Sequence, residues 1–309
     1  NLSLGITLFL IGLAKKVIVA DNLAPHASPV FSHAANDVSF NIFEAWIGTF
    51  AYTFQLYFDF SGYSDMALGI AAMFGIFLPV NFLSPYKATN LVDFWRRWHI
   101  TLSRFLRDYL YIPLGGNRKG KGRELSNLLI TMVIGGLWHG ANWTFVAWGF
   151  LHGLGLSVNH MVSKLTGKFK YKFKALSAVI TFLFVSLTWV LFRSENFNSA
   201  LSMYSTMFAF KGLILPNEML TTYPIFGAEY AGEFHKTPIA IIMISGIIAF
   251  RAPNSLQIIN SAKFNSPIKL PSTRLQWIPS FKWVAFMTLL FIACLLNMTN
   301  MSEFLYYQF

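Results

Sequence analysis

The sequence predicts an all-α, polytopic transmembrane protein, and three observations carry that prediction. Of 309 residues, 55% are hydrophobic and 12% are charged, where an average soluble domain carries about 25% charged residues. A water-facing surface cannot be assembled from so few charges. Apolar runs recur along the whole chain, several approaching the ~20 residues that cross a bilayer as helix. They are continuous, whereas a β-barrel would show short alternating segments.

The net charge of +11 does not point to nucleic acid. Basic residues fall in short stretches between apolar runs, the distribution of cytoplasmic loops facing anionic membrane lipid. Cys294 is the single cysteine and lies in the apolar run Trp283–Leu296. That excludes a disulfide framework within the chain and reads as a structural cysteine.

Taken in order, the candidate membrane segments are Leu2–Ala20, Ile42–Phe58, Met66–Val80, Leu125–Trp138, Trp143–Val158, Leu176–Phe192, Pro238–Phe250 and Trp283–Leu296. Several are shorter than a full crossing, which predicts tilted or re-entrant helices. With no internal repeat or soluble domain, residues 1–309 read as one unit. The chain begins at Asn1, inside an apolar stretch and without the layout of a signal peptide. We therefore expect N-terminal helices of the parent protein to be missing.

Loop charges set the orientation. Asn81–Arg123 carries nine Lys and Arg residues and belongs in the cytoplasm, as does Lys164–Lys174. Leu125–Trp138 must then rise and Trp143–Val158 return, so His139 sits at their turn. Ser194–Thr237, with four glutamates, reads as external and Arg251–Lys282 as cytoplasmic. The first part breaks the alternation. Asp21–Asn41 lacks Lys and Arg and looks external, yet two crossings from there would put Asn81–Arg123 outside too. One early segment is not a full span, and Lys15 and Lys16 make Leu2–Ala20 the best candidate for an interfacial helix.

Four constellations bear chemistry. In Gly135-Gly136-Leu137-Trp138-His139-Gly140-Ala141-Asn142-Trp143, glycines interrupt a helix around an ionisable residue, a functional-site signature within a membrane. The bland alternative is a histidine hydrogen-bonding two helices. In Asn90–His99, Asn90 is placed to cap a helix whose third residue is Asp93. Trp95, His99, Leu102 and Leu106 share one face at helical spacing, so His99 looks inward. That stripe also fits plain packing. The third, Tyr57–Asp65, places two acids between apolar segments. There they must line water or pair with bases, the arginines of the Asp93 helix among them. The fourth, Pro113–Arg123, is rich in glycine and basic residues but lacks the spacing of a Walker loop, and reads as a cytoplasmic anchor.

The stretches FDFSGYSDMALG, NFLSPYKATNLVDFWRRWHITLSRFLRDYLYIPLGGNRKG and GGLWHGANWTFVAWGFLHG, in that order, resemble the membrane-bound O-acyltransferase family. Within it the sequence is similar to the bacterial alginate O-acetyltransferase branch, as are the early GLAKKVIVADNLAP and the terminal FLYYQF. The resemblance implies many helices, some tilted or re-entrant, around a central tunnel. His139 matches the family's active-site histidine and His99 the second histidine of its bacterial members. His152 is expected to support the site.

The activity so implied is transfer of an acetyl group from a cytoplasmic thioester, acetyl-CoA, to a hydroxyl belonging ultimately to an exopolysaccharide such as alginate. The setting is the bacterial inner membrane. Periplasmic or membrane-anchored polysaccharide acetyltransferases are the implied partners, and no bound cofactor or metal is expected. A neutral buried histidine suits proton removal from the attacking hydroxyl, so His139 is read as general base and His99 as its partner. An acetyl-histidine intermediate stays open. Asn142, Trp138 and backbone N–H groups near Gly140 are candidate oxyanion donors. Trp95, Trp98 and Trp138 are candidate lining of the path. The rivals are D-alanyl transfer to teichoic acid, a transporter or polysaccharide channel, and a haem or metal site on His99 and His139.

Overall fold

A computed structural model of the chain describes residues 1–166, 173–208, 236–260, 264, 271, 273–298 and 305. Every regular element among them is helical. The chain opens with α1 (Leu2–Ala14), a π-helical turn (Lys15–Ala20) and α2 (Asp21–Ala35), which run on as one helix. Asp21–Ala35 was expected as part of a loop. That expectation rested on its lack of Lys and Arg; the helix contains Pro25 and Pro29, each of which removes a helix N–H. The π turn just ahead and the Asn22 amide, which donates to the Val17 and Ile18 carbonyls, accommodate the irregularity.

Residues 42–73 form a second departure. The expected segments Ile42–Phe58 and Met66–Val80 are one helix, α3 (Ile42–Met73), ending before Phe77–Val80. A complete capping box starts it: the Asn41 side chain accepts from the Glu44 N–H at 3.0 Å, and Glu44 accepts from the Asn41 N–H at 2.7 Å. The stretch FDFSGYSD, read as lying between segments, is the middle of this helix. Its acids meet lysines of the first helix, not the arginines of the Asp93 helix. Lys15 pairs with Asp65 at 2.5 Å, and Lys16 with both Asp21 and Asp59 at 2.8 Å. Lys15 and Lys16 thus point into protein, which removes the reason for reading Leu2–Ala20 as an interfacial helix.

Close approach of α1 and α3 makes these pairs reachable. A Cβ on Gly12 would strike the Gly62 carbonyl, and one on Gly5 the Gly69 carbonyl, so the antiparallel helices touch backbone to backbone.

Next come two short helices, α4 (Leu91–Trp95) and α5 (Ile100–Leu106), then α6 (Lys121–Trp138) and α7 (Trp143–Thr166), which pack as a tight hairpin. The chain continues through α8 (Lys174–Arg193), α9 (Phe197–Phe208), α10 (Lys236–Arg251), α11 (Ser255–Ile259) and α12 (Phe281–Asn297). Aromatic side chains from α3, α4, α7 and α8 fill the main core, which includes Tyr57, Tyr86, Phe94, Trp98, Trp148 and Trp189. Cys294 is buried in α12 with a free thiol.

Among the described residues, two helices, Leu2–Ala35 and Lys174–Arg193, are long and apolar enough to cross a membrane, and Pro238–Arg251 and Phe281–Asn297 are shorter apolar helices. Eight segments were expected. Apolar side chains nevertheless face outward, including Ile247 on α10 and Phe281, Leu289 and Leu296 on α12. Such a surface fits lipid better than water. The glutamates of the expected external loop at 218, 229 and 233, most of the basic 164–174 stretch and most of the terminal FLYYQF lie outside the described residues.

Candidate active site

Histidines 99 and 139 line the same cavity, although they come from separate elements. Its volume is about 20 Å³, and its other walls are Leu56, Phe60, Trp95, Trp98, Leu102, Trp148, Trp189 and Phe192. That is room for one or two water-sized groups. Trp95 and Trp98, expected on the path, are on this wall.

His139 caps the end of α6, at the expected turn between α6 and α7. The turn holds its shape because the hairpin is unusually close. A Cβ on Gly136 would overlap the Phe145 carbonyl, and one on Gly149 the Met132 carbonyl. His139 is 8% exposed. Its ring meets Phe192 edge-on at 4.9 Å and Trp148 at 5.5 Å.

The approach of His99 is different from that expected. Asn90 caps α4 as predicted, accepting from the Asp93 N–H at 2.9 Å. Asp93 then pairs with Arg97 instead of closing the capping box. The helix stops after Trp95, and His99 adopts φ 41° and ψ 57°, a left-handed residue that starts α5. Helical spacing therefore gave the right inward direction for a reason that does not hold. Histidine tolerates this conformation better than most side chains, and its use at a site wall is a local strain held by surroundings. Asn81 supplies the hold, and sequence reasoning missed it. Its side-chain oxygen lies 3.1 Å from His99 Nδ1 and accepts from the Thr101 hydroxyl at 3.0 Å, while its carbonyl accepts from the Ile100 N–H. Because that amide oxygen can only accept, His99 carries its proton on Nδ1. Eighteen residues separate the two, with no pattern to link them. Burial lowers the proton affinity of both site histidines, and His99 is pushed down to about 4.

Two of the expected site residues lie outside the cavity wall. Asn142 is half-buried and committed structurally: its amide donates to the Glu195 carbonyl at 2.7 Å and its oxygen accepts from the Thr144 N–H. Trp138 is 55% exposed and outside the cavity lining, with its ring against both His99 and His139. The Gly140 N–H donates to the Leu137 carbonyl and the His139 N–H to the Gly136 carbonyl, so these backbone groups are occupied as well. His152 supports the wall, as expected, through Trp95: its Nδ1 is 3.3 Å from the Trp95 indole nitrogen.

A second, larger pocket of about 580 Å³ lies on the other side of Trp95. Arg96, Arg104, Arg107, Asn117 and Tyr111 face it along with apolar Val92, Leu128 and Met132. The two spaces share the Trp95 side chain in their linings. Arg118, Lys119, Lys121 and Arg123 of the glycine-rich loop are exposed beyond this pocket.

A sequence profile of MBOAT, the membrane-bound O-acyltransferase family, matches residues 1–231. The chain is 42% identical over 310 residues to the peptidoglycan O-acetyltransferase of Helicobacter pylori, covering 100% of this chain and 57% of that protein. It is 39% identical over 319 residues to the probable alginate O-acetylase AlgI of Azotobacter vinelandii, covering 99% of this chain and 62% of the relative. A teichoic acid D-alanyltransferase of Streptococcus thermophilus is 38% identical over 117 residues, 36% of this chain and 28% of the relative. The chain thus spans about three-fifths of the two relatives that it matches along almost its whole length.

Proposed function

The chain belongs to the membrane-bound O-acyltransferase family, and on that premise we propose that it holds the acyl-transfer centre of a multi-pass inner-membrane O-acetyltransferase serving a glycan outside the cytoplasm. The observation that carries this reading is the meeting of His99 and His139 in one buried aromatic cavity. The donor is acetyl-CoA, approaching through the larger pocket. There Arg96, Arg104 and Arg107 complement anionic phosphates. The acetyl end then passes Trp95 to reach the histidines.

His139 acts as general base. It takes the proton of the acceptor hydroxyl as that oxygen bonds to the thioester carbon and the carbonyl pair moves onto oxygen. Collapse of the tetrahedral species breaks the C–S bond, and the departing thiolate recovers a proton. His99, with Nδ1 directed at Asn81, orients the acceptor or shuttles that proton. A positioned base of this kind is worth about 10²–10⁴-fold in rate.

The final acceptor is an exopolysaccharide such as alginate, reached with a periplasmic or membrane-anchored acetyltransferase as partner. A second reading, peptidoglycan, is favoured by the likeness to a peptidoglycan O-acetyltransferase over all of this chain. D-alanyl transfer has support over a smaller part. The deciding experiment measures ester-linked acetyl on exopolysaccharide and on peptidoglycan in cells lacking the gene. Complementation uses the wild-type gene or His139→Ala. Restored acetyl in one polymer by the wild type alone is the expected result. Equal restoration by His139→Ala would remove His139 from the chemistry.

A further inference from the structure

Acyl transfer needs a donor for the negative charge that grows on the carbonyl oxygen, and several of the groups that sequence nominated for this are engaged. The Asn142 amide and the Gly140 and His139 N–H groups all have structural partners, and Trp138 is largely exposed. The cavity wall itself offers another. Trp148, on α7, is 2% exposed and lines the cavity. Its indole nitrogen is buried with no hydrogen-bond partner. A buried donor left unsatisfied is rare and costly, and in a native protein it points to a ligand or a catalytic use.

The surroundings hold the Trp148 ring in place. The Trp148 ring stands perpendicular to His139, at 88° and 5.5 Å between centroids. It is stacked on Trp189 at 5.7 Å and meets Phe192 at 5.2 Å, so the ring cannot swing away. Of its neighbours, Trp95 gives its indole N–H to His152. Trp189 also has an indole nitrogen without a hydrogen bond, but it faces the Tyr86 hydroxyl.

We propose that the Trp148 indole N–H is the oxyanion donor of this site, holding the acyl carbonyl oxygen while the carbonyl carbon lies beside His139. This rests on the acyl-transfer reading and adds the group that stabilises its transition state. As the acceptor oxygen bonds to carbon, the C=O pair moves onto an oxygen already hydrogen-bonded to Trp148. That bond shortens as charge develops, and it relaxes when the C–S bond breaks. An immobile donor in a water-poor cavity is preorganised for this.

The test replaces Trp148 with its benzothiophene isostere, which keeps ring size and stacking and lacks the N–H. The lipid-reconstituted protein is mixed with acetyl-CoA carrying ¹³C at the carbonyl. Isotope-edited infrared difference spectra then report hydrogen bonding to the bound thioester. The wild type is expected to shift the carbonyl band to lower wavenumber and the isostere to abolish the shift. With acceptor present, kcat is expected to fall about a hundredfold with KM nearly unchanged. Equal band positions in the two proteins, or an unshifted band in the wild type, would overturn the assignment. A wild type that shows the Trp148-dependent shift but transfers no acetyl would instead overturn the acyl-transfer reading while leaving the donor in place.

Discussion

Trp95 donates its indole N–H to Nδ1 of His152 at 3.3 Å, and a second bond decides which tautomer makes this possible. The Thr188 hydroxyl lies 2.9 Å from His152 Nε2 and donates its own proton to the Val185 carbonyl at 2.8 Å. Thr188 can then only accept from the imidazole, so His152 is neutral with its proton on Nε2 and a lone pair on Nδ1. His152 thereby anchors the side chain that separates the two spaces.

Replacing His152 by leucine strands the Trp95 donor. The expected destabilisation is about 1–3 kcal/mol, read as a lowered midpoint in thermal unfolding of the detergent-solubilised protein. His152→Asn, which can accept from Trp95 and donate to Thr188, should recover part of it. Equal losses for both substitutions would show that packing volume, not the hydrogen-bond relay, is what His152 supplies.

Asn81→Ala frees the His99 ring to rotate and gives up its fixed tautomer. Transfer should slow about ten- to a hundredfold, a fraction of the 10²–10⁴ credited to a positioned acid or base. Asn81→Asp retains an acceptor oxygen and should retain more activity than the alanine variant. A wild-type rate in Asn81→Ala would end the case for His99 as an oriented group.

Burial moves the histidines away from protonation, which fixes the sign of the pH dependence. With His99 near 4 in place of the usual ~6.5, the basic form persists well below neutrality. The transfer rate at saturating substrate should stay level from about pH 8 to about pH 5.5. A proton-dependent fall centred near 6.5 would mean that the working histidine is solvated during turnover.

Lys16→Met leaves the carboxylates of Asp21 and Asp59 buried without their shared cation. Breaking such a pair costs about 3–5 kcal/mol, measurable as lost folded yield and a lower unfolding midpoint. Adding Asp59→Asn should recover much of the loss, since one stranded charge is removed. If the double variant is no better than the single one, the pairing contributes little.

Arg104→Glu inverts one charge at the larger pocket. KM for acetyl-CoA should rise about tenfold or more, as expected for loss of a charge-assisted contact, with kcat less affected. An unchanged KM would move the donor to another entrance.

The parts legible in sequence were those written in local signals. Asn90 announced a helix start, and glycines flanking His139 announced a close turn. Apolar runs located most of the later helices. What misled was context. The lack of Lys and Arg in α2 and the acids of α3 resemble loop chemistry when lysines fifty residues away are not in view. The cavity wall was legible only in part, because Trp148 and Phe192 reach it, and Asn81 reaches His99 behind it, through tertiary packing. A tryptophan in an apolar helix looks like core packing until its N–H is found without a partner. His99 was read as inward on a continuous helix, whereas a left-handed break puts it there.

The straight run of α3 has a mechanical meaning. Leu56 and Phe60 form one side of the cavity, while Asp59, between them in sequence, is gripped by Lys16 and by the Leu305 N–H at 2.9 Å. Because successive residues are about 100° apart around a helix, turning α3 on its axis would pull Asp59 out of that grip. The ion pairs serve as a key in a keyway. They hold one wall of the cavity in register from outside it, and His99 inherits that register, because its ring stands edge-on against Phe60 at 4.8 Å between centroids.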